Sequence, residues 1–322
     1  MVQTVAPSPE IRRDRWGRPL VVPPGGGKPT AYTRCTTYVG TIEDTYNLSK
    51  WQQRMVALGL SDRRDLQLAV AAHREDKSKL NAVCESAIEA AKGSAAATTG
   101  TALHAITETH DRGQEVGTLP DDAQADLNAY IAATKDFKPI HIEQFMVLDS
   151  LKIGGTPDRI SRYGGKRYVT DLKTGSLDYG FLKIAAQLAV YARSLPYDVE
   201  TGKRLEPHGA ELDRGVIVHL PAGSATCTLY WIDLLVGWDV VTLSRRVREK
   251  RALPQRALLS PIGGPNANTT PVPAANEIPT LAEQINSAVT PDDVRALWRE
   301  HASQWTDELT QLARTHIEQL TN

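Results

Sequence analysis

An acid and a base stand at the end of a short predicted strand, in the stretch RYVTDLKTG at residues 167–175. Because side chains alternate along a strand, Val169, Asp171 and Lys173 lie on one face. The carboxylate and the ammonium group therefore point the same way and could act on one ligand. Taken alone, an acid and a lysine at a strand end are most often simply solvated.

A second carboxylate, Asp158, lies upstream in LKIGGTPDRI at residues 151–160. The turn at Gly164 and Gly165 predicts that this segment folds back as a strand against RYVTDLK, which brings Asp158 close to Asp171. Two close carboxylates repel, and the usual resolutions are a shared proton or a bound cation. With oxygen ligands the cation would be hard, Mg²⁺ or Mn²⁺, and Lys173 would assist the attacking water beside it.

The order of these residues, GGTPD, a turn and a strand ending in DLKTG, resembles that of the PD-(D/E)XK nucleases. Two further motifs are similar to those of the RecB-like branch of that superfamily. His104 and Glu108 in TGTALHAITE match its Gly-Thr-x-x-His-x-x-x-Glu motif, and Gln187 and Tyr191 in AAQLAVYA match its Gln-x-x-x-Tyr motif. Residues 33–60 also resemble the opening of phage-encoded exonucleases of this branch. Taken alone, His104 would be interpreted as a histidine without a function. Gln187 would be interpreted as solvated and Tyr191 as a core residue.

The resemblance implies an α/β fold, with a restriction-endonuclease-like mixed sheet flanked by helices. It also implies roles for single residues. The metal ligands would be His104, Asp158, Asp171 and the Leu172 carbonyl, and the catalytic residues would be Asp158, Asp171, Lys173, Gln187 and Tyr191. Glu108 and Glu143 are candidate outer-sphere carboxylates; for Glu143, a second-metal ligand and a plain surface acid both remain open.

The cysteines separate this chain from many relatives, including the CRISPR-associated exonucleases, which bind a four-iron cluster through one early and three late cysteines. A cluster needs four thiolates, whereas this chain has Cys35, Cys84 and Cys227, far apart and without a CxxC pair. We therefore expect Mg²⁺ or Mn²⁺ as the cofactor and no iron–sulfur cluster.

The elements that must position the site follow from composition and periodicity. Residues 1–30 are dense in Pro and Gly and predict an extended or mobile arm. A nuclease domain is predicted for 31–253, with a helical part at 48–137 and the catalytic sheet at 140–253. Residues 254–279 predict a linker, and 280–322 a small helical tail with Trp298 and Trp305 in its core.

The charge of the whole chain is balanced, because 37 Lys and Arg face 38 Asp and Glu, a net charge of -1. A polyanion must therefore be held by a local basic surface. The candidates beside the predicted site are Lys152, Arg159, Arg162, Lys166 and Arg167. A basic run at 245–251 reads by default as a solvated helix end. No apolar run is long enough for a bilayer and no signal peptide is recognised, so we expect a cytoplasmic protein without membrane contact, in the host cytoplasm if phage-encoded.

These observations lead to one hypothesis and one alternative. The hypothesis is a Mg²⁺- or Mn²⁺-dependent deoxyribonuclease, an exonuclease of phage or bacterial DNA recombination or repair, with DNA as substrate and a recombination partner protein bound through the C-terminal tail. The alternative is a catalytically inactive DNA-binding or recruitment subunit that retains the nuclease fold.

Overall fold

The computed structural model describes residues 10–93, 95–177, 179–254, 259, 280–288 and 290–321. Two compact units are formed, Met1–Arg248 and Glu249–Asn322. The predicted linker at 254–279 lies outside the described residues except for Pro254 and Leu259, as do the first nine residues of the predicted arm. The domain boundaries given above therefore stay predictions.

The N-terminal region is folded from residue 10 onward. It contains the strands β1 (Leu20–Val21), β2 (Thr30–Ala31) and β3 (Thr33–Arg34) and the helix α1 (Cys35–Val39). Strands β1 and β2 pair antiparallel. Ile11, Val21 and Tyr32 are buried in a cluster with Phe145 and Tyr197. The described part of the predicted arm is thus packed rather than extended, because its few apolar residues are spaced to reach one cluster.

A run of five helices follows, as the apolar spacing predicted. They are α2 (Tyr46–Asp62), α3 (Arg64–Ala72), α4 (Lys77–Ala90), α5 (Ala95–Asp111) and α6 (Asp121–Thr134). Asp76 caps α4 by accepting a hydrogen bond from the Lys79 N–H at 3.0 Å. Pro120 stands at the N-cap of α6, followed by Asp121 and Asp122 at the positive end of the helix dipole.

The remaining elements of this unit are strands with two helices. In chain order they are β4 (Lys138–Ile142), β5 (Met146–Leu148), β6 (Ile153–Gly155), β7 (Arg159–Tyr163), β8 (Lys166–Lys173), α7 (Phe181–Ala192), β9 (Leu195–Pro196), β10 (Arg214–His219), β11 (Thr228–Asp233) and α8 (Leu234–Arg251). The main sheet has the order β11-β10-β8-β7-β4. Strands β8 and β10 are parallel and the other pairs antiparallel. The predicted mixed sheet is confirmed.

A second, four-stranded sheet has the order β3-β6-β5-β9. The prediction that LKIGGTPDRI forms one strand against RYVTDLK is wrong for its first half. The segment breaks between β6 and β7, and these two strands belong to different sheets. Pro157 lies in the break; its ring removes a backbone N–H and restricts the residue before it, which ends the first strand.

Helices cover both faces of the main sheet. On one face α7 and α8 bury Val169 together with Leu188 and Val241. On the other face α6 buries Tyr168 and Leu172. Strand β8 is therefore covered on both sides, and the face that carries Val169 also carries Asp171.

The second unit contains a small helical domain. Its helices are α9 (Leu281–Ser287), α10 (Pro291–Glu300) and α11 (Asp307–Thr321). Ile285, Val294 and Ala313 form its core, against which Trp305 packs. Trp298, predicted to share this core, is 53% exposed instead. Within the part of the chain that is described, no helix has the length and apolar character needed to cross a membrane.

Candidate active site

The β7–β8 hairpin brings the two predicted carboxylates together. Gly164 and Gly165 form its turn with φ of 55° and 80°, the left-handed backbone that glycine adopts without strain. In the resulting register Arg159 pairs with Thr170, so the start of β7 lies beside the end of β8. Asp158, immediately before β7, accepts a hydrogen bond from the Leu172 N–H at 2.7 Å. The sequence prediction of this convergence is confirmed.

Asp171 is a buried carboxylate, with 3% of its surface exposed. Its Oδ2 forms an ion pair with the ammonium group of Lys173 and otherwise has no hydrogen-bond partner among the described residues. Burial, and then the nearby charge of Asp158, raise the pKa of Asp171 to about 7, against a lowering effect of Lys173. A carboxylate held this way is prepared to exchange its proton for a cation.

His104 approaches the same place from α5. Its Nδ1 lies 3.5 Å from Oδ2 of Asp158. The close approach of α5 to the end of β8 depends on Gly100, where a Cβ atom would stand 2.7 Å from Oγ1 of Thr174. The glycine of the Gly-Thr-x-x-His pattern thus has a packing reason in this fold.

The two predicted outer-sphere acids differ in their surroundings. Glu108 accepts a hydrogen bond from Nε of Arg112 at 2.9 Å, and that guanidinium is buried. Glu143 has a φ of 49° and donates its backbone N–H to the Asp158 carbonyl at 3.0 Å. Burial, then the charges of Asp158 and Glu108, raise the pKa of Glu143 to about 8. Glu143 therefore lies beside Asp158, in a backbone conformation that costs free energy in a residue other than glycine.

Tyr191 lies behind the carboxylates rather than in front of them. It is 3% exposed, and burial, then the neighbouring Cys35 and Asp171, raise its pKa, while a hydrogen bond with Gln187 lowers it. A Cβ atom on Gly155 would stand 2.7 Å from the Tyr191 hydroxyl. The Tyr191 hydroxyl is thus packed against β6, and the catalytic role predicted for Tyr191 stays a prediction. Gln187 is half-buried beside it.

A buried polar network behind the site was missed by sequence reasoning. Arg159 forms an ion pair with Asp111 and donates to Oγ1 of Thr107 at 2.9 Å. The Tyr130 hydroxyl donates to Oδ2 of Asp111 at 2.6 Å. Asp111 lies seven residues after His104, on the same face of α5, and this spacing was the available signal. Arg159 is 3% exposed, so its assignment to DNA binding is corrected to a structural role.

The other predicted DNA contacts do not flank the site. Arg162 lies opposite Arg167 in the backbone register of the β7–β8 hairpin. Both residues are next to the hairpin turn, at the opposite end of β8 from Lys173. At about 3.3 Å per residue, Arg167 stands about 13 Å along the strand from Asp171. Lys166 donates to Glu211 at 3.0 Å, and Arg167 donates to the His208 carbonyl at 2.9 Å. Lys152 is exposed, in a left-handed turn before β6.

The oxygen atoms of the site are suitable ligands for a hard divalent cation, although they do not surround a common point. In the described ranges no three His, Cys, Asp or Glu side chains stand close enough to hold a metal ion. The buried carboxylate of Asp171, which contacts Lys173, and the adjacent carboxylate of Asp158 are oxygen donors of the kind that Mg²⁺ and Mn²⁺ prefer. Cys35, Cys84 and Cys227 are free thiols. The absence of an iron–sulfur cluster stays a prediction.

Residues 124–212 match the family model of the PD-(D/E)XK nuclease superfamily. The region from α6 to the residues before β10 is thus similar to this superfamily. The match contains Asp158, Asp171, Lys173, Gln187 and Tyr191, and it begins after His104. Members of this superfamily are usually metal-dependent nucleases, so nuclease is the general class of activity that the match indicates.

Other comparisons add little at the level of single residues. No curated protein matches the chain. Among solved structures, one titled "Crystal structure of SSO0001" is similar over 65% of this chain and 88% of its own, at 16% sequence identity and a TM-score of 0.28.

Proposed function

We propose that the protein is a divalent-metal-dependent nuclease that hydrolyses DNA phosphodiester bonds. More finely, we propose an exonuclease of the RecB-like branch that acts in phage or bacterial DNA recombination or repair. The observation that carries the proposal is the meeting of Asp158 and Asp171 at one end of the β7–β8 hairpin, with Lys173 in ion-pair contact with the buried Asp171. The superfamily match over the same hairpin supports it.

Four groups of this chain would hold the cation: His104, Asp158, Asp171 and the Leu172 carbonyl. Mg²⁺ or Mn²⁺ supplies Lewis acidity, which activates water and offsets negative charge on the phosphate. Without a cation, two carboxylates would repel the phosphate that they are meant to receive. The acids of the site therefore position the cation rather than the DNA.

Lys173 would act on the reacting groups. Its ammonium group contacts Asp171, and its side chain is 30% exposed, so it faces both the carboxylate and the open end of β8. The ammonium group would hold the attacking water or stabilise charge on the phosphate oxygens in the transition state. Tyr191 and Gln187, packed behind Asp171, would keep the strand in place.

The wider setting extends the proposal. DNA is the substrate, a recombination partner binds through the tail, and the protein works in the cytoplasm without an iron–sulfur cluster. Labelling both ends of the DNA in the assay reads the polarity of digestion directly.

The test is cleavage of end-labelled single- and double-stranded DNA with Mg²⁺, Mn²⁺ or EDTA. We expect cleavage with either metal and none with EDTA. Asp171→Ala should lower the rate at least about a hundredfold while the circular dichroism spectrum is retained, because the substitution removes a metal ligand and little packing. The matched control is Asp136→Ala, which removes an exposed acid outside the site and should cleave like the parent.

Two results would contradict the proposal in different ways. A folded Asp171→Ala variant that cuts at the parent rate would show that the site is elsewhere. A parent protein that binds DNA but cuts none of the substrates with either metal would favour the inactive DNA-binding or recruitment subunit.

A further inference from the structure

A tight turn in the N-terminal region presents an exposed tryptophan. Oδ1 of Asp14 accepts hydrogen bonds from the backbone N–H groups of Trp16 and Arg18, each at 2.9 Å. The Gly17 N–H donates to the Asp14 carbonyl at 2.9 Å, and Gly17 has a φ of 74°. Ile11, just before the turn, is buried in the domain. The turn is thus fixed by its own hydrogen bonds and anchored at its base.

The tip of this turn is an arginine stack around one aromatic ring. Trp16 is 60% exposed. The guanidinium carbon of Arg15 lies 3.9 Å from the centre of its ring, and that of Arg18 lies 4.9 Å away. We call the residues Arg12, Arg13, Arg15, Trp16, Arg18 and Arg34 the arginine–tryptophan turn. Arg34 belongs to it because its guanidinium lies 3.8 Å from the Cβ position of Gly17.

The charge of this surface is concentrated and largely uncompensated. Asp14 pairs with Arg18. Within the described residues Arg12, Arg13 and Arg15 have no carboxylate partner. Four arginines fall within residues 12–18 and Arg34 adds a fifth guanidinium beside Gly17, in a chain whose net charge is -1. The surface is therefore a local basic region of the kind that a polyanion needs in this protein.

The arginine–tryptophan turn adjoins the strand that leads to Asp158. Cγ of Pro19, at the base of the turn, lies 3.2 Å from the Cβ position of Gly154. Cys35, which follows Arg34, has its Cβ 2.9 Å from the Cβ position of Gly155. Three or four residues of extended chain separate these glycines from Asp158, about 14 Å at most. At about 3.4 Å per nucleotide, a DNA strand covers the stretch from the base of the turn to Asp158 in a few nucleotides.

The chemistry of the surface selects the partner. Guanidinium groups bind phosphate oxygens in a bidentate way, and an exposed indole offers a flat face on which any base can stack. We propose that the arginine–tryptophan turn is a DNA-anchoring site, which holds backbone phosphates and one base of the strand that enters the active site. The proposal rests on the proposed function for its choice of DNA over another polyanion.

The test measures binding without cleavage. A fluorescein-labelled single-stranded 20-mer is titrated with the full-length protein in Ca²⁺ and again in EDTA, at several salt concentrations. The double variant Arg12→Ala with Arg15→Ala should bind about tenfold more weakly at the lowest salt, and its plot of log affinity against log salt should be shallower by about 1.4, since each phosphate contact to a single strand contributes about 0.7. Trp16→Ala should bind about fivefold more weakly with an unchanged slope, because stacking releases no counterions.

Matched controls and a competitor make each outcome decisive. Arg54→Ala with Arg74→Ala removes two exposed arginines of the helical region, and Tyr46→Ala removes an aromatic ring that is 65% exposed. These variants should bind like the parent. Equal binding by parent, arginine and tryptophan variants would overturn the proposal. So would competition by poly-glutamate that is as strong as competition by DNA and insensitive to Trp16→Ala, since the partner would then be an acidic protein. The binding measurement does not require cleavage, so it tests the anchoring site even if the protein proves not to be a nuclease.

Discussion

An acid at a strand end is usually exposed to solvent, but the carboxylate of Asp171 is buried. The ammonium group of Lys173 contacts it. Burial of an acid is unfavourable unless a partner or a function compensates for it. Lys173 supplies part of that compensation, and its contact with Asp171 is compatible with two roles. The ammonium group could serve the reaction, or it could only hold Asp171 in charge balance.

The substitution Lys173→Ala separates these roles. If Lys173 acts in the transition state, the single-turnover rate at saturating DNA should fall about a hundredfold to a thousandfold. DNA binding in Ca²⁺ should persist, since the carboxylates remain. Lys135→Ala, which removes an exposed lysine of the helical region, is the control and should cleave at the parent rate. If Lys173→Ala cleaves within a few fold of the parent rate, Lys173 has no role in the transition state and only balances the charge of Asp171.

At the scale of elements, the crossing of α7 and α8 carries the packing behind the site. Gly237 of α8 is buried at this crossing. A Cβ atom there would stand 2.2 Å from the Ala185 carbonyl oxygen of α7. The two backbones therefore touch, and Tyr191, on the same α7, depends on this arrangement for its position.

Gly237→Ala should destabilise the protein, although the same change in an open helix stabilises by about 1 kcal/mol. The added methyl group must push α7 away, and overpacking of this kind costs about 1–3 kcal/mol. The measurement is the urea midpoint with an unchanged slope. Gly117→Ala is the control, because its Cβ would meet no atom within 4 Å. A higher midpoint for Gly237→Ala would show that the helices do not touch as described.

The elements also show what a single sequence can and cannot predict. Helices and the β7–β8 hairpin follow from local periodicity and from Gly164 and Gly165, so they were predicted. LKIGGTPDRI is divided between two sheets because β6 pairs with strands outside the β7–β8 hairpin. One of them, β3, lies over a hundred residues earlier in the sequence. Local patterns do not contain that information.

The same limit applies at the scale of the whole molecule. Asp158, Asp171 and Lys173 are joined by one hairpin, so their convergence could be predicted from their order. Arg159 looked like a surface base because its partner Asp111, on α5, lies 48 residues away. Conversely, the arginine–tryptophan turn lies in a segment for which the Pro and Gly content predicted an extended or mobile arm.

The response of the folded domain to acid depends on the buried His208 and the half-buried His141. Nδ1 of His208 accepts a hydrogen bond from the Ala210 N–H at 3.1 Å, so Nε2 carries the proton and donates to the Tyr191 carbonyl at 3.1 Å. Protonation of Nδ1 would break the first bond. Burial lowers the pKa of His208, with smaller lowering effects of His141 and Arg167, and burial also lowers the pKa of His141.

These depressed pKa values set the direction of the pH effect. Below the ordinary histidine pKa of 6.5 the unfolded chain takes up protons that the folded state refuses, so both histidines make the protein less stable as pH falls. Each contributes a slope of at most about 1.4 kcal/mol per pH unit. Asp171 and Glu143, whose pKa values are raised, act with the opposite sign, so the parent slope alone does not isolate the histidines.

We therefore predict the difference between variants. His208→Asn keeps an acceptor for the Ala210 N–H but cannot be protonated in this range. Its free energy of unfolding should be lower than that of the parent at pH 7.5, and the gap should narrow as pH falls from 6.5 to 5. Adding His141→Asn should flatten the dependence further. Urea unfolding at half-unit pH steps measures this, and a gap that widens toward acid pH would mean that His208 is protonated in the folded state.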